Sequence, residues 1–215
     1  MKINNQTFIT IIFNTEEIDS NVINKLCQIK KQISELFHHY EIVVTCFSIS
    51  KYGENKLNEF LVKNNCLRIL LLTNKVSNDA QLLSGLENAI GDYVVSCFED
   101  KHSIKDMIKT LNCSINSGKT IFNLNEGFNN LLIKLNTNRN VKKRKIFRYC
   151  SIHVDGLLAI NRSTLNLFLA SGRMQDDIYS RIAKVSNDIL FEKYKSTKNK
   201  GLRKLNKTFE YIKRY

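Results

Sequence analysis

Apolar and polar positions fall in blocks along this chain, and the period changes from block to block. Phe8-Ile-Thr-Ile-Ile-Phe13 is almost continuously apolar, the pattern of a strand buried on both faces. Asn14-Thr-Glu-Glu-Ile18 then reads as a loop opening a helix. Val22, Leu26, Ile29, Ile33 and Leu36 recur at helical spacing and predict an amphipathic helix ending near Phe37. The same reading gives a second strand over Glu41–Phe47 and a short helix marked by Leu57, Phe60 and Leu61. A third strand runs from Leu67 to Thr73, a helix from Asp79 to Ile90, and a fourth strand from Asp92 to Cys97. Ile104, Met107, Ile108 and Leu111 mark another helix, and Lys119 to Leu124 a fifth strand.

This β-α-β-α alternation predicts an α/β fold, a Rossmann-type, mostly parallel sheet flanked by helices. After Glu126 the pattern changes. Phe128, Leu131, Leu132 and Leu135 stripe a helix, and the basic run Val141-Lys-Lys-Arg-Lys145 follows with Arg148. Gly156 to Ile160 reads as a strand, Arg162 to Ala170 as a helix, Ile178 and Ile182 as part of another, and Ile189 to Phe191 as a short strand. The end reads as a basic amphipathic helix. Leu202, Leu205, Phe209 and Ile212 share one face, with Arg203, Lys204, Lys207, Lys213 and Arg214 around it. No linker composition interrupts the chain, so a single domain is expected, with a change of character between residues 1–125 and 126–215.

Charge narrows the partners. The 215 residues carry a net +13, which suits nucleic acid, anionic lipid headgroups or phosphorylated ligands. Nucleic acid is the least expected, because the aromatics fall in apolar runs and no recognition motif is present. The six cysteines are spread without a CxxC pair and read as reduced, mostly buried thiols. The N-terminus is polar and no apolar run approaches the roughly 18 residues of a spanning helix. A cytoplasmic location is therefore expected, with the basic C-terminal helix suited to peripheral contact at the inner face of the membrane.

Ala80 to Asp100 carries the most chemistry. A helix with an apolar face stops at Gly91, a buried strand follows, and carboxylates stand at the strand's C-terminal end, where open α/β sheets bind ligands. Leu82-Leu-Ser-Gly-Leu86, Ala89-Ile-Gly-Asp-Tyr-Val-Val95 and Phe98-Glu99-Asp100 resemble the family 2 glycosyltransferases of GT-A fold, the dolichol-phosphate-sugar synthase type in particular. The resemblance implies a nucleotide-sugar-binding half over 1–125 and an acceptor half over 126–215. It implies nucleotide contacts at Phe13, Thr15 and Glu17 after the first strand, at Cys46 and Phe47 after the second, and at Asp79 and Gly85.

Two motifs depart from the family. Where it carries two aspartates after the second strand, one of them on the nucleotide base, this chain has Cys46-Phe47. Where it carries Asp-x-Asp for Mg²⁺ or Mn²⁺, this chain has Phe98-Glu99-Asp100, which leaves Asp100, with Glu99 beside it, as the implied metal ligands. For the catalytic base the resemblance offers Asp177 or Asp176, in Gln175-Asp176-Asp177-Ile-Tyr-Ser-Arg181, and also Asp155, before the apolar pair Leu157-Leu158. Asp176 and Asp177 equally suit helix capping. The implied reaction is transfer of a sugar, with inversion, from a nucleotide diphosphate-sugar donor to a glycan or lipid-linked acceptor. The two departures equally suit a catalytically inactive relative that serves as a binding or scaffold partner.

Overall fold

A computed structural model describes residues 6–125, 154–172, 177–186 and 189–194. The stripe at 128–135, the basic run at 141–148, Asp176 and the basic residues 202–214 lie outside them. In chain order the elements are β1 (Phe8–Asn14), β2 (Glu17–Ile18), α1 (Ser20–Leu36), β3 (His39–Cys46), β4 (Ser48–Ile49), α2 (Lys51–Val62), β5 (Leu67–Leu71), α3 (Asn78–Asn88), β6 (Tyr93–Phe98), α4 (Ile104–Ser117), β7 (Thr120–Asn125), β8 (Val154–Asn161), α5 (Arg162–Ala170), α6 (Ile178–Val185) and β9 (Ile189–Tyr194).

Seven strands form one sheet in the order β5-β3-β1-β6-β8-β7-β9. Neighbours are parallel except at β8, which runs antiparallel to both β6 and β7. The mostly parallel α/β sheet expected from the alternation is therefore present. Apolar runs mark strands but not their direction, so the reversal at β8 was invisible in them.

The continuous apolar run of β1 is explained by its two faces. Ile9, Ile11 and Phe13 pack into the layer with Leu26, Ile29 and Ile33 of α1 and Met107 and Leu111 of α4. Ile12 turns the other way, into a layer with Leu82 and Leu86 of α3 and Leu165 and Phe168 of α5. Each described helix begins at a short polar cap: Asp19, Ser50, Ser77, Ser103, Asn161 and Asp177 accept backbone N–H groups of the first turn.

A buried polar knot closes the end of the sheet where β1 and β6 begin. The Glu41 carboxylate accepts from Thr10 Oγ1 at 2.6 Å, from the Ile90 N–H at 2.9 Å and from Arg68 Nη2 at 2.6 Å. Thr10 Oγ1 in turn accepts from the Gly91 N–H at 2.8 Å. A Cβ on Gly91 would stand 2.5 Å from the Thr10 nitrogen, so a side chain does not fit there. Arg162, opening α5, donates to the carbonyls of Gly91 and Ala89. The second half of the chain is thus tied into the same knot as the first.

Two expectations change. Asn14–Ile18 is not simply a loop: Glu17–Ile18 pairs in parallel with Ser48–Ile49 as a two-stranded sheet. Among the described cysteines, Cys27 is exposed and only Cys46 and Cys97 are fully buried, all as free thiols.

Candidate functional site

The strands β1, β3 and β6 end together, and a cavity of about 520 Å³ opens over their C-terminal ends. Its lining comes from the β1 end and following turn (Asn14, Thr15, Glu16, Glu17), from the start of α1, from Asn78 and Gln81 of α3, and from Phe98, Glu99 and Asp100. A broader hollow on the outer face of α4, lined by Lys105, Ile108 and Cys113, lies away from these strand ends and carries no acid.

The cavity floor is a fixed polar lattice. Asn14 is fully buried and bridges the strands on either side: its Nδ2 donates to the Cys97 carbonyl at 3.0 Å, and its Oδ1 accepts from Thr45 Oγ1 at 2.7 Å. The Thr15 N–H donates to the Thr45 carbonyl at 3.0 Å, and Thr15 Oγ1 donates to the Glu17 carbonyl at 3.0 Å. Gln81 reaches down from α3 and donates through Nε2 to the carbonyls of Thr15 and Thr45, at 2.8 and 2.9 Å. These bonds satisfy carbonyls that the ends of the ladders leave over. The β2–β4 pair supports the rim, where the N–H groups of Phe47 and Ser48 both donate to the Glu16 carbonyl.

Carboxylates dominate the rim, and most are already engaged. Asp19 caps α1, accepting from the N–H groups of Asn21 and Val22 at 2.9 and 2.8 Å. Glu16 pairs with Lys75 at 2.7 Å, with both side chains largely exposed. Glu99 forms an ion pair with Lys25 of α1, and its own N–H donates to the Asn14 carbonyl at 2.9 Å. Glu17 and Asp100 remain as exposed rim acids.

The predicted residues separate accordingly. Thr15 and Glu17 line the cavity, as do Glu99 and Asp100. Phe13 does not; it faces a smaller recess of about 270 Å³ beneath, with Lys25, His102 and Met107. Cys46 is buried, and desolvation pushes its thiol up to about 11. Phe47 is half-buried beside the rim. Gly85 faces the sheet, not the cavity: a Cβ there would stand 2.4 Å from Ile12 Cγ2, so the glycine serves helix-to-sheet packing. Phe98, where an aspartate was expected, is buried and closes one wall, with Lys101 Nζ 5.2 Å above its ring.

Among the acids proposed as base, Asp177 caps α6, accepting the Ser180 N–H at 2.9 Å. It faces Asp79 in the first turn of α3. Burial raises the Asp79 carboxyl above its ordinary value, the N–H of Ile178 donated to it opposes that, and the Asp177 charge raises it further. Two residues predicted for separate roles, Asp79 and Asp177, thus meet where α3 and α6 begin. Arg181, from the same predicted segment, is spent internally: its guanidinium lies 4.6 Å from the Phe168 ring and donates to the Gly172 carbonyl. Asp155 falls near the start of β8, on the same edge of the sheet as Phe98 by strand register.

The residues do not fit a protein-built site for Mg²⁺ or Mn²⁺. Such ions take several oxygen ligands. Among the described residues no group of three or more His, Cys, Asp or Glu converges on one point, and Lys25 holds the carboxylate of Glu99. Of the two implied ligands, only Asp100 stays exposed and outside that ion pair.

Sequence reasoning missed Gln81 and Lys25. Gln81 had a signal: it lies one turn before Gly85 and next to Leu82, on the buried stripe of α3, where a polar residue needs a buried partner. Lys25 had none, since its partner lies 74 positions away.

No protein-family model and no curated protein matches the sequence. Solved structures do resemble it. A mannosyltransferase from Pyrobaculum calidifontis, solved with GDP-Man and Mn²⁺, superposes with a TM-score of 0.57 at 15% identity, over 93% of this chain and 59% of that one. This chain therefore spans under two thirds of that protein's length. A glucosyl-3-phosphoglycerate synthase from Mycobacterium tuberculosis, solved with Mn²⁺, UDP and glucosyl-3-phosphoglycerate, gives 0.54 at 13% identity, over 94% and 75%. A 4-diphosphocytidyl-2C-methyl-D-erythritol synthase from Anaerococcus prevotii gives 0.51 at 12% identity, over 96% of both chains. At these identities the likeness is one of fold: a GT-A-like, Rossmann-type α/β architecture.

Proposed function

We propose that this protein is a glycosyltransferase of the family 2 kind. It binds a nucleotide diphosphate-sugar over the strand ends and transfers the sugar, with inversion, to a glycan or lipid-linked acceptor in polysaccharide or glycoconjugate biosynthesis. The observation that carries the reading is the cavity itself. It lies at the C-terminal ends of parallel strands, where this architecture binds ligands, and its volume of about 520 Å³ suits a small polar molecule. The fold neighbours solved with GDP-Man or UDP support the same reading.

In this reading residues 1–125 form the donor half and 126–215 the acceptor half. The turn Thr15–Glu17 and the floor formed by Asn14 and Gln81 hold the nucleoside, and Phe98 shields one wall from water. An inverting transfer needs a carboxylate that takes the acceptor hydroxyl's proton as the new bond forms. We assign that role to Asp177, with Asp176 and Asp155 as the other candidates. Asp177 stands beside Asp79, whose carboxyl is raised above its ordinary value by burial. The basic sequence at 202–214 suits peripheral contact with an anionic lipid surface on the cytoplasmic side.

The test is calorimetric titration of the protein with UDP and with GDP, each with and without Mn²⁺, followed by a screen for sugar transfer from the matching donors. Binding of one nucleotide is expected, and turnover would exclude an inactive relative. Silence toward both nucleotides overturns the proposal. Unchanged nucleotide binding by Asp100→Ala, with or without Mn²⁺, removes Asp100 from any metal role.

A further inference from the structure

On the floor of the cavity, Gln81 presents a hydrogen-bond acceptor that its own contacts leave over. Gln81 is 2% exposed. Both hydrogens of its Nε2 are committed, one to the Thr15 carbonyl at 2.8 Å and one to the Thr45 carbonyl at 2.9 Å. Those two contacts also fix which end of the amide is which. Turning the group over would set its oxygen against two carbonyl oxygens, an arrangement with no donor. The orientation of Oε1 is therefore locked. It accepts no hydrogen bond from the described residues, while the side chain lines the cavity.

The neighbouring floor groups are already matched. Asn14 spends its Oδ1 on Thr45 and one Nδ2 hydrogen on Cys97, and Thr15 spends its hydroxyl proton on Glu17. The strand end beyond Thr45 offers no competing side-chain acceptor, because Cys46 is buried and Phe47 is aromatic. A ligand settling against Gln81 therefore meets a rigid acceptor with a fixed direction, set deeper than the exposed Asn21, Asn78, Glu17 and Asp100 of the same lining. Its complement is one in-plane ring N–H. An exocyclic amine fits less well, since only one of its two hydrogens meets Gln81 Oε1.

We propose that Gln81 Oε1 reads the lactam N–H of the donor's nucleobase, N3–H of uracil or N1–H of guanine, and so selects these bases over cytosine and adenine. The inference rests on the nucleotide reading of the cavity and gives it a specificity-determining residue on α3, an element separate from the altered strand end at Cys46–Phe47. A site built to pair with an N–H discriminates strongly against ligands lacking it, because the buried acceptor then goes unmatched.

The experiment uses the whole chain, first with its sequence unaltered. Calorimetry would compare UDP, GDP, CDP and ADP, then the ring-N-methylated form of whichever binds, N3-methyl-UDP or N1-methyl-GDP. For a uracil site, 5-methyl-UDP is added as a control that keeps the N–H while enlarging the base. The expected result is binding of UDP or GDP, at least tenfold weaker binding of CDP and ADP, and at least a tenfold loss on N-methylation. In a Gln81→Leu variant the methylation penalty should shrink several-fold. Equal binding of the methylated and parent nucleotides overturns the role of Gln81 while the nucleotide reading stands, and CDP binding as tight as UDP does the same. If none of the four nucleotides binds, the nucleotide reading falls and takes this inference with it.

Discussion

Glu41→Ala is the sharpest stability test the fold offers. Glu41 is 5% exposed and accepts three hydrogen bonds, from Thr10 Oγ1, the Ile90 N–H and Arg68 Nη2. Truncation orphans the first two donors in a buried setting, at about 1–3 kcal/mol each. The third partner matters less: the Arg68 side chain is 42% exposed, so water replaces the lost contact and the pair contributes under about 1 kcal/mol. The expected loss for Glu41→Ala is thus about 3–5 kcal/mol, and for Arg68→Ala about 1 kcal/mol. Urea unfolding followed by circular dichroism would read this as a midpoint lowered by about 2 M for Glu41→Ala and by under about 0.5 M for Arg68→Ala. Glu41→Gln, which keeps one acceptor oxygen, should fall between them. A loss below about 1 kcal/mol for Glu41→Ala, or an Arg68→Ala loss equal to it, would refute the reasoning. The first result would mean that the knot is solvated, and the second that water does not screen the Arg68–Glu41 pair.

Three further outcomes follow from named contacts. Gly85→Ala places a methyl 2.4 Å from the buried Ile12 Cγ2, and the overpacking, about 1–3 kcal/mol, outweighs the helix-propensity gain of about 1 kcal/mol, so thermal melting should show a lower Tm. Burial, with Lys101 nearby, holds the His102 imidazole down at about 4, below its ordinary 6.5, while its Nδ1 accepts the Phe98 N–H. The unfolded chain then takes up the proton first, so stability is full above pH 6.5 and falls toward pH 4 by about 3 kcal/mol in all; urea midpoints at several pH values should show this slope, and His102→Asn should flatten it. The Asp79 carboxyl is raised, so its folded form favours the proton and the ionised form costs stability at neutral pH. Asp79→Asn, which still offers an oxygen to the Ile178 N–H, should match or exceed the parent Tm at pH 7, with the gap closing as pH falls through the raised value.

How much of this was legible in the sequence depends on the range of the cause. β1 and α1 were readable because burial on one face or two leaves a period in a dozen consecutive residues. The β2–β4 pair was not, because two-residue strands carry no period, and its register comes from Glu16 and Phe47 meeting across 31 positions of chain. At the site, the position of Asp100 at a strand's C-terminal end was readable from the apolar run before it, and both it and Thr15 line the cavity. Gly85 was read as a nucleotide contact through the resemblance, whereas its close neighbour is Ile12 of β1. Glu99 was read as a metal ligand from its place in the Asp-x-Asp resemblance, and its ion pair with Lys25 of another element leaves no trace in the local sequence. Local pattern reports which face is buried, and only the assembled sheet reports which charges meet.

The position of β8 governs the order in which this protein can be completed during its own synthesis. β8 lies between β6 and β7 although it follows both in the chain, and β7 pairs only with β8 and β9. Until Asn161 has left the ribosome, the outer edge of β6 stands open, with the apolar Val94 and Val95 on it, and β7 has no native place to go. An emerging chain carries that edge for seconds at ordinary rates of translation. A free edge beside a homeless strand is a template for mispairing, between the two of them or between neighbouring nascent chains. Residues 1–125 therefore do not close their own sheet: β7 and the open edge of β6 both wait for β8, which for β6 is encoded more than sixty residues downstream.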